Sequence, residues 1–168
     1  SWSQFRVWSS DTVTDMLYKD GYYLCAGKTG IYRAASLGSM FSKVTLQDDT
    51  HNVIKLADID NKILFVLSNG SAGYMDGATG SIHYVNDLPV VPEYLTNYDW
   101  AILKKESYWL YIVKTSSGYT LYYTSNLNSS WSSKELVSSS NIHSYYSGTF
   151  FVFEYGDYFM LMYLNSNG

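Results

Sequence analysis

The chain of 168 residues is poor in the residues that staple, break or charge a fold. Cys25 is its only cysteine, so no disulfide can form within it. Cys25 stands between Leu24 and Ala26 and reads as a buried, inert thiol. The only prolines, Pro89 and Pro92, fall in one stretch, Asp87 to Tyr98, which reads as a long connection. Charged residues make up only 15%, with a net charge of -4. A nucleic-acid surface needs a clustered basic stripe, so nucleic acid is not an expected partner. Lys104-Lys105 is the one basic pair, and it reads as part of a solvated turn before Glu106. No run approaches the ~20 apolar residues that cross a bilayer, so membrane insertion is not expected. The longest run, Tyr158 to Leu164, has the length of a strand. No basic segment followed by an apolar one opens the chain, and it begins with Ser. The expectation is an excised or processed piece. His51, His83 and His143 lack metal-ligand spacing, and no glycine-rich phosphate loop occurs. No cofactor or metal is expected.

What remains is rich in the residues of sheets. Apolar residues make up 46%, and there are 18 tyrosines. Aromatic and β-branched side chains suit a half-buried pleated surface. A pattern then recurs. Tyr22-Tyr23-Leu24-Cys25-Ala26 precedes Gly30-Ile31-Tyr32-Arg33-Ala34. Ile63-Leu64-Phe65-Val66-Leu67 precedes Gly73-Tyr74-Met75. Trp109-Leu110-Tyr111-Ile112-Val113 precedes Gly118-Tyr119-Thr120-Leu121-Tyr122. Phe159-Met160-Leu161-Met162-Tyr163 begins a fourth copy. A unit of four short strands recurring every ~40 to 50 residues is the mark of β-propeller blades.

Four strands, a to d, are predicted in each unit. In the first they are Met16 to Tyr18, Tyr22 to Ala26, Ile31 to Ala35 and Phe41 to Leu46. In the second they are Val53 to Ala57, Ile63 to Leu67, a short run at Tyr74-Met75, and Ile82 to Val85. In the third they are Trp100 to Leu103, Tyr108 to Val113, Tyr119 to Thr124 and Trp131 to Leu136. The fourth supplies only Thr149 to Phe153 and Tyr158 to Tyr163. Asp20-Gly21 between apolar runs signals a tight hairpin. Leu24, Leu64, Leu110 and Met160 are expected at equivalent, buried b-strand positions. No ~12-residue window shows a helical period, so little or no α-helix is expected. Ser1-Trp2-Ser3 aligns with Ser130-Trp131-Ser132 and suggests an opening d strand that could close the ring. The predicted fold is all-β: one β-propeller domain over residues 1–168, or part of one. It has about four blades of four antiparallel strands, one incomplete, or is a fragment of a larger propeller.

Three resemblances follow. Thr124-Ser125-Asn126-Leu127-Asn128-Ser129-Ser130-Trp131 resembles the Asp-box of sialidase-like propellers, Ser/Thr-x-Asp-x-Gly-x-Thr-Trp, with Asn126 in place of the Asp. Ser36 to Phe41 is a weaker echo. That motif implies a structural turn closed by the side chain, not a reactive group. Sialidases clamp a carboxylate with three arginines, whereas this chain has only Arg6 and Arg33. The first blade and the segment Thr149 to Leu161 are similar to blades of five-bladed furanosidase-type glycoside hydrolases. That family places carboxylates at the starts of its innermost strands, two of them acid and base. Here the matching positions are Val13-Thr14, Asn52 and Ser147-Gly148. Asp15 and Asp58 lie nearby, a register shift away. The Tyr-, Ser-, Asn- and Gly-rich, Cys-poor composition looks like bacteriophage tail and receptor-binding proteins that carry propeller platforms.

The reading is therefore a non-catalytic binding or assembly module of a virion or extracellular surface. Its partner would be a cell-surface glycan or another virion subunit. A glycoside hydrolase fragment and a purely structural virion part are the alternatives. The candidate site lies where the chain enters the innermost strands: Asp15, Asn52, Asp99 with Trp100, and Tyr146 with Ser147. Carboxylates, amides, hydroxyls and aromatic faces without a cation suit a neutral sugar. Tyr98, Tyr145, Tyr155 and Trp8 are further aromatics expected near strand ends. Asn69-Gly70-Ser71 and Asn128-Ser129-Ser130 match the glycosylation sequon but read first as turns.

Overall fold

A computed structural model describes residues 12–91, 100–142 and 150–163. Among these the regular structure is all strand, apart from one 3-10 turn at Ser139–Asn141. The chain divides into two units, Ser1–Leu88 and Pro89–Gly168. The first holds two four-stranded antiparallel sheets. One has the order β1 (Val13–Lys19), β2 (Tyr22–Gly27), β3 (Gly30–Ala34) and β4 (Ser42–Val44). The other runs β5 (Val53–Ile59), β6 (Lys62–Leu67), β7 (Ala72–Met75) and β8 (Ile82–Val85). The second unit holds β9 (Trp100–Lys105), β10 (Tyr108–Thr115), β11 (Gly118–Thr124) and β12 (Ser132–Ser138) in one sheet. A two-stranded hairpin, β13 (Phe150–Tyr155) and β14 (Tyr158–Tyr163), follows. These are propeller-type blades, the last represented by its two inner strands. The opening Ser1–Ser10 segment, Trp8, Tyr98, Asp99, His143 and Tyr145 to Ser147 lie outside the described residues.

The repeat is visible at the level of single residues. Every a-b hairpin closes around two residues: Asp20-Gly21, Asp60-Asn61, Glu106-Ser107 and Gly156-Asp157. Asp20 and Gly21 have φ of 51° and 80°, and Asp60 and Asn61 have 55° and 60°. Two positive φ values in succession twist the turn with the strands, and Asp, Asn and Gly tolerate them best. Counting from these turns, Leu24, Leu64, Leu110 and Met160 are each the third residue of their b strand. The equivalence is as expected, but the burial is not uniform. Leu24 and Leu64 are buried, Leu110 is half-buried, and Met160 is 45% exposed. The sequence run is apolar in all four, so the difference comes from what packs over each sheet. Lys104-Lys105 also departs from expectation, since both end β9 and the turn begins after them.

In the first unit the inner strands β1 and β5 meet. Each carries a register shift at its start, around Thr14 and Ile54. A bulge frees backbone groups and re-aims side chains. Thr14 Oγ1 uses this to donate to the Val53 carbonyl of the neighbouring sheet. The core fills the space between the sheets with Leu24, Ile31, Val44, Val53, Leu56, Phe65, Leu67 and Met75. Each such side chain contributes roughly 1.5–3 kcal/mol by burial. Gly73 sits where a Cβ would come 2.4 Å from Phe65 Cζ and 2.6 Å from the His83 carbonyl. Its absence of side chain lets the Phe65 ring cross β7.

In the second unit the sheet β9–β12 packs Ile112 and Tyr119 against Phe150, with Val152, Leu161 and Tyr163 of the hairpin around them. The connection from β11 to β12 is the Asp-box-like segment. Asn126 Oδ1 accepts from Asn128 N at 2.9 Å, and Thr124 Oγ1 donates to the Asn126 carbonyl at 2.8 Å. Thr124 and Leu127 are buried beneath it. The side-chain amide thus closes a turn, as the sequence pattern implies. Asn69 does the same by accepting from Ser71 N at 3.0 Å.

Candidate functional site

Asp15 lies within β1 rather than ahead of it, and its carboxylate clips two sheets together. Oδ1 accepts from Met16 N at 3.0 Å. Oδ2 accepts from Leu56 N at 2.9 Å and pairs with Lys55 Nζ at 3.2 Å. The side chain is only 17% exposed. Asp58 is likewise held, both oxygens lying 3.0 Å from Lys19 Nζ. Asn52 is half-buried just before β5, and its carbonyl accepts from Ser68 N at 2.8 Å. The two carboxylates serve the seam between β1 and β5, whereas Asn52 ties the start of β5 to the end of β6 in its own sheet.

Trp100 opens β9 but does not offer a ring to a ligand. It is 4% exposed, with its indole edge-on to Tyr111 at 6.0 Å. Its Nε1 has no hydrogen-bond partner among the described residues. The expectation of a stacking platform at Trp100 is therefore corrected: β9 starts with an inward-facing position, so the ring became core. Asp99, Tyr146 and Ser147 lie outside the described residues, as stated above. The predicted set is thus divided, with Asp15 and Asn52 in the first unit and Trp100 in the second.

A different surface in the second unit has the chemistry that the predicted set was meant to supply. It is a groove of about 580 Å³ on the sheet β9–β12. Lys114, Thr115, Thr120, Tyr122, Ser133 and Glu135 line it, with Ser116 and Ser117 at one end and Val90 and Val91 along a wall. Strand alternation and register build it. Thr120 and Tyr122 stand on one face of β11, while Tyr119, Leu121 and Tyr123 stand on the other. Thr120 is opposite Glu135, and Tyr122 is opposite Ser133. On its other side Tyr122 faces Tyr111, with ring centroids 6.2 Å apart. The Tyr111 hydroxyl donates to the Val90 carbonyl at 2.8 Å, which fixes the wall. Burial, and secondarily Tyr122, pushes the Tyr111 pKa up, so this hydroxyl stays protonated. Thr115 Oγ1 lies 2.8 Å from Ser117 Oγ and donates to the Gly118 carbonyl at 3.2 Å. The result is a hydroxyl-rich concavity with one aromatic side chain, one ammonium and one carboxylate.

A smaller constellation lies on β6–β8. Asp76 pairs with Lys62 Nζ at 2.9 Å and with His83 Nε2 at 2.7 Å. Tyr74 stacks on His83 at 4.8 Å and carries the Lys62 ammonium 4.0 Å from its centroid. Lys62 first, then His83, holds the Asp76 carboxyl below its usual range. The groups satisfy one another at the surface. No cluster of three His, Cys, Asp or Glu side chains suited to a metal occurs among the described residues.

No protein-family model and no curated protein matches the chain.

The groove was missed in the sequence because its residues look like ordinary strand positions. The readable signal was the period-two pairing of Thr120-x-Tyr122 with Ser133-x-Glu135. Recognising it required the c-d register, which the length of the intervening turn hides.

Proposed function

We propose that the chain is a non-catalytic binding module whose propeller-type blades present the β10–β12 groove to a neutral glycan. The phage-tail or receptor-binding setting, on a virion or extracellular surface, rests on composition: many Tyr, Ser and Asn, and one Cys. The observation that carries the reading is the groove itself. Its volume of about 580 Å³ falls in the range of small-ligand sites. Tyr122 supplies apolar area with a polar tip, and the Thr, Ser, Lys and Glu groups match a polyol in both donors and acceptors. The non-catalytic part is supported by Asp15 and Asp58, whose carboxylates are committed to Lys55, Leu56 N and Lys19. A general acid or base has to be available to substrate.

The test is calorimetric titration with a panel of neutral bacterial surface oligosaccharides. Tyr122→Ala or Glu135→Gln is expected to weaken binding by ~1 kcal/mol or more, with the far-UV spectrum unchanged. Unaltered binding in both variants would remove the groove from consideration. Cleavage of a furanoside that is lost in Asp15→Ala or Asp58→Ala would establish the hydrolase instead.

A further inference from the structure

The hairpin β13–β14 carries apolar residues on both faces, with Glu154 the one charged residue in its two strands. Its register pairs Phe150 with Tyr163, Val152 with Leu161 and Glu154 with Phe159 on one face. That face packs onto the sheet β9–β12. On the other face Phe151 pairs with Met162, Phe153 with Met160, and Tyr155 with Tyr158. These six side chains form two columns and three rows without a charge. All are exposed, between 43% and 72%. A strand apolar on both sides is the pattern of a sheet covered on both sides, and a bare contiguous patch of this size marks an interaction surface.

We infer that this outer face stacks on the same face of a second copy of the chain, making an isologous dimer. Two features favour a second copy. The first is self-complementarity. A two-fold axis running along the strands sets β13 over the partner copy's β14. Phe151 then faces Met162, Phe153 faces Met160, and Tyr155 faces Tyr158. Thioether sulfur packs well on aromatic rings, so the two columns are mutual partners. The second is area. At ~200 Å² for each large side chain and about half of it exposed, the face offers ~600–700 Å² per copy. Two copies together bury more than the ~1,000 Å² expected of a specific interface. Aligned sheets stack ~10 Å apart, which these side chains fill. The inference does not depend on the glycan reading, because the face lies on the hairpin and the groove on the sheet.

Sedimentation of the full chain across a dilution series is expected to show a dimer at tens of micromolar that dissociates on dilution. Phe153→Glu with Met160→Glu should give a monomer at every concentration, with an unchanged far-UV spectrum. Peroxide oxidation supplies a readout without mutation. Met160 and Met162 should oxidise several-fold more slowly than Met40, which is 92% exposed, and dilution should reduce that protection to the smaller difference set by their own exposures of 45% and 57%. A wild-type monomer at ~100 μM, a dimer that survives the double variant, or protection independent of concentration would each overturn the inference. The last would mean that the chain covers the face itself.

Discussion

Single residues in this chain do structural work that their type does not announce. Asp48 is a half-buried carboxylate with three local partner groups. It accepts from Thr50 Oγ1 at 2.7 Å and Thr50 N at 2.9 Å, and lies 2.8 Å from His51 Nδ1. The Thr50 hydroxyl first, then the Thr50 amide and His51, bring its pKa down to about 2. The charged form is thus favoured in the fold. Its contribution is complete above the ordinary carboxylate value of ~4 and is lost as pH falls through about 2. A carboxyl carbon titration by NMR should place the Asp48 midpoint at about 2, and Thr50→Ala should move it upward. A midpoint at the ordinary value in the parent chain would contradict the geometry. Glycine is used with similar economy. Gly118 follows the b-c turn with φ of 132°, and Gly30 holds the same place in the first blade with 134°. At Gly118 a Cβ would also meet the Val137 carbonyl. Gly73 had looked like the third member of this set, but it lies opposite Phe65 within the ladder and is needed for close approach.

At the scale of the strand, equivalent positions carry unequal loads. Leu24, Leu64, Leu110 and Met160 share one place in the b strand, yet they range from buried to exposed. Truncation should follow that order. Leu24→Ala and Leu64→Ala are expected to cost ~2–5 kcal/mol each, the range for buried large-to-small changes. Leu110→Ala should cost less, and Met160→Ala under ~1 kcal/mol at concentrations where the chain is monomeric. Urea denaturation curves on the four variants would check the ranking. A Met160→Ala cost equal to that of Leu24→Ala would show that its face is covered in the isolated chain. The alternation within β11 shows the same principle laterally. Tyr119 and Leu121 make core while Thr120 and Tyr122, one residue over, make a groove wall. Strand burial is decided by the neighbour, and the neighbour is a long-range fact.

For the whole molecule, low charge density shapes the expected interactions. The net charge is -4, and the described lysines are largely occupied: Lys19 with Asp58, Lys43 with Asp49, Lys55 with Asp15, and Lys62 with Asp76. In the groove Lys114 and Glu135 carry opposite signs. A neutral glycan held by hydroxyls and an aromatic side chain should bind with little dependence on salt. Affinity between 0.05 and 0.5 M NaCl is expected to change less than about two-fold, since screening acts only on charges. A ten-fold loss over that range would point to an anionic ligand. The proposed dimer should be equally indifferent, because its face holds no ionised group.

The local repeat was legible without any coordinates. Two-residue turns at Asp20-Gly21 and Gly156-Asp157, apolar b strands and a side-chain-closed turn at Asn126 are properties of short segments. They determine an all-β chain of four-stranded, propeller-type units, since turn stereochemistry and strand period act over a few residues. What local pattern could not decide is which apolar residue is core and which polar residue is site. Trp100 became core because Tyr111 packs against it, and Asp15 became a clip because Lys55 and Leu56 N reach it from the next sheet. The groove exists because β12 pairs with β11 in one register rather than the next. Phe151, Phe153 and Met160 are bare because, among the described residues, the last sheet has two strands and one packed face. Each of these depends on contacts between distant segments, whose formation rests on burial and register in the tertiary structure.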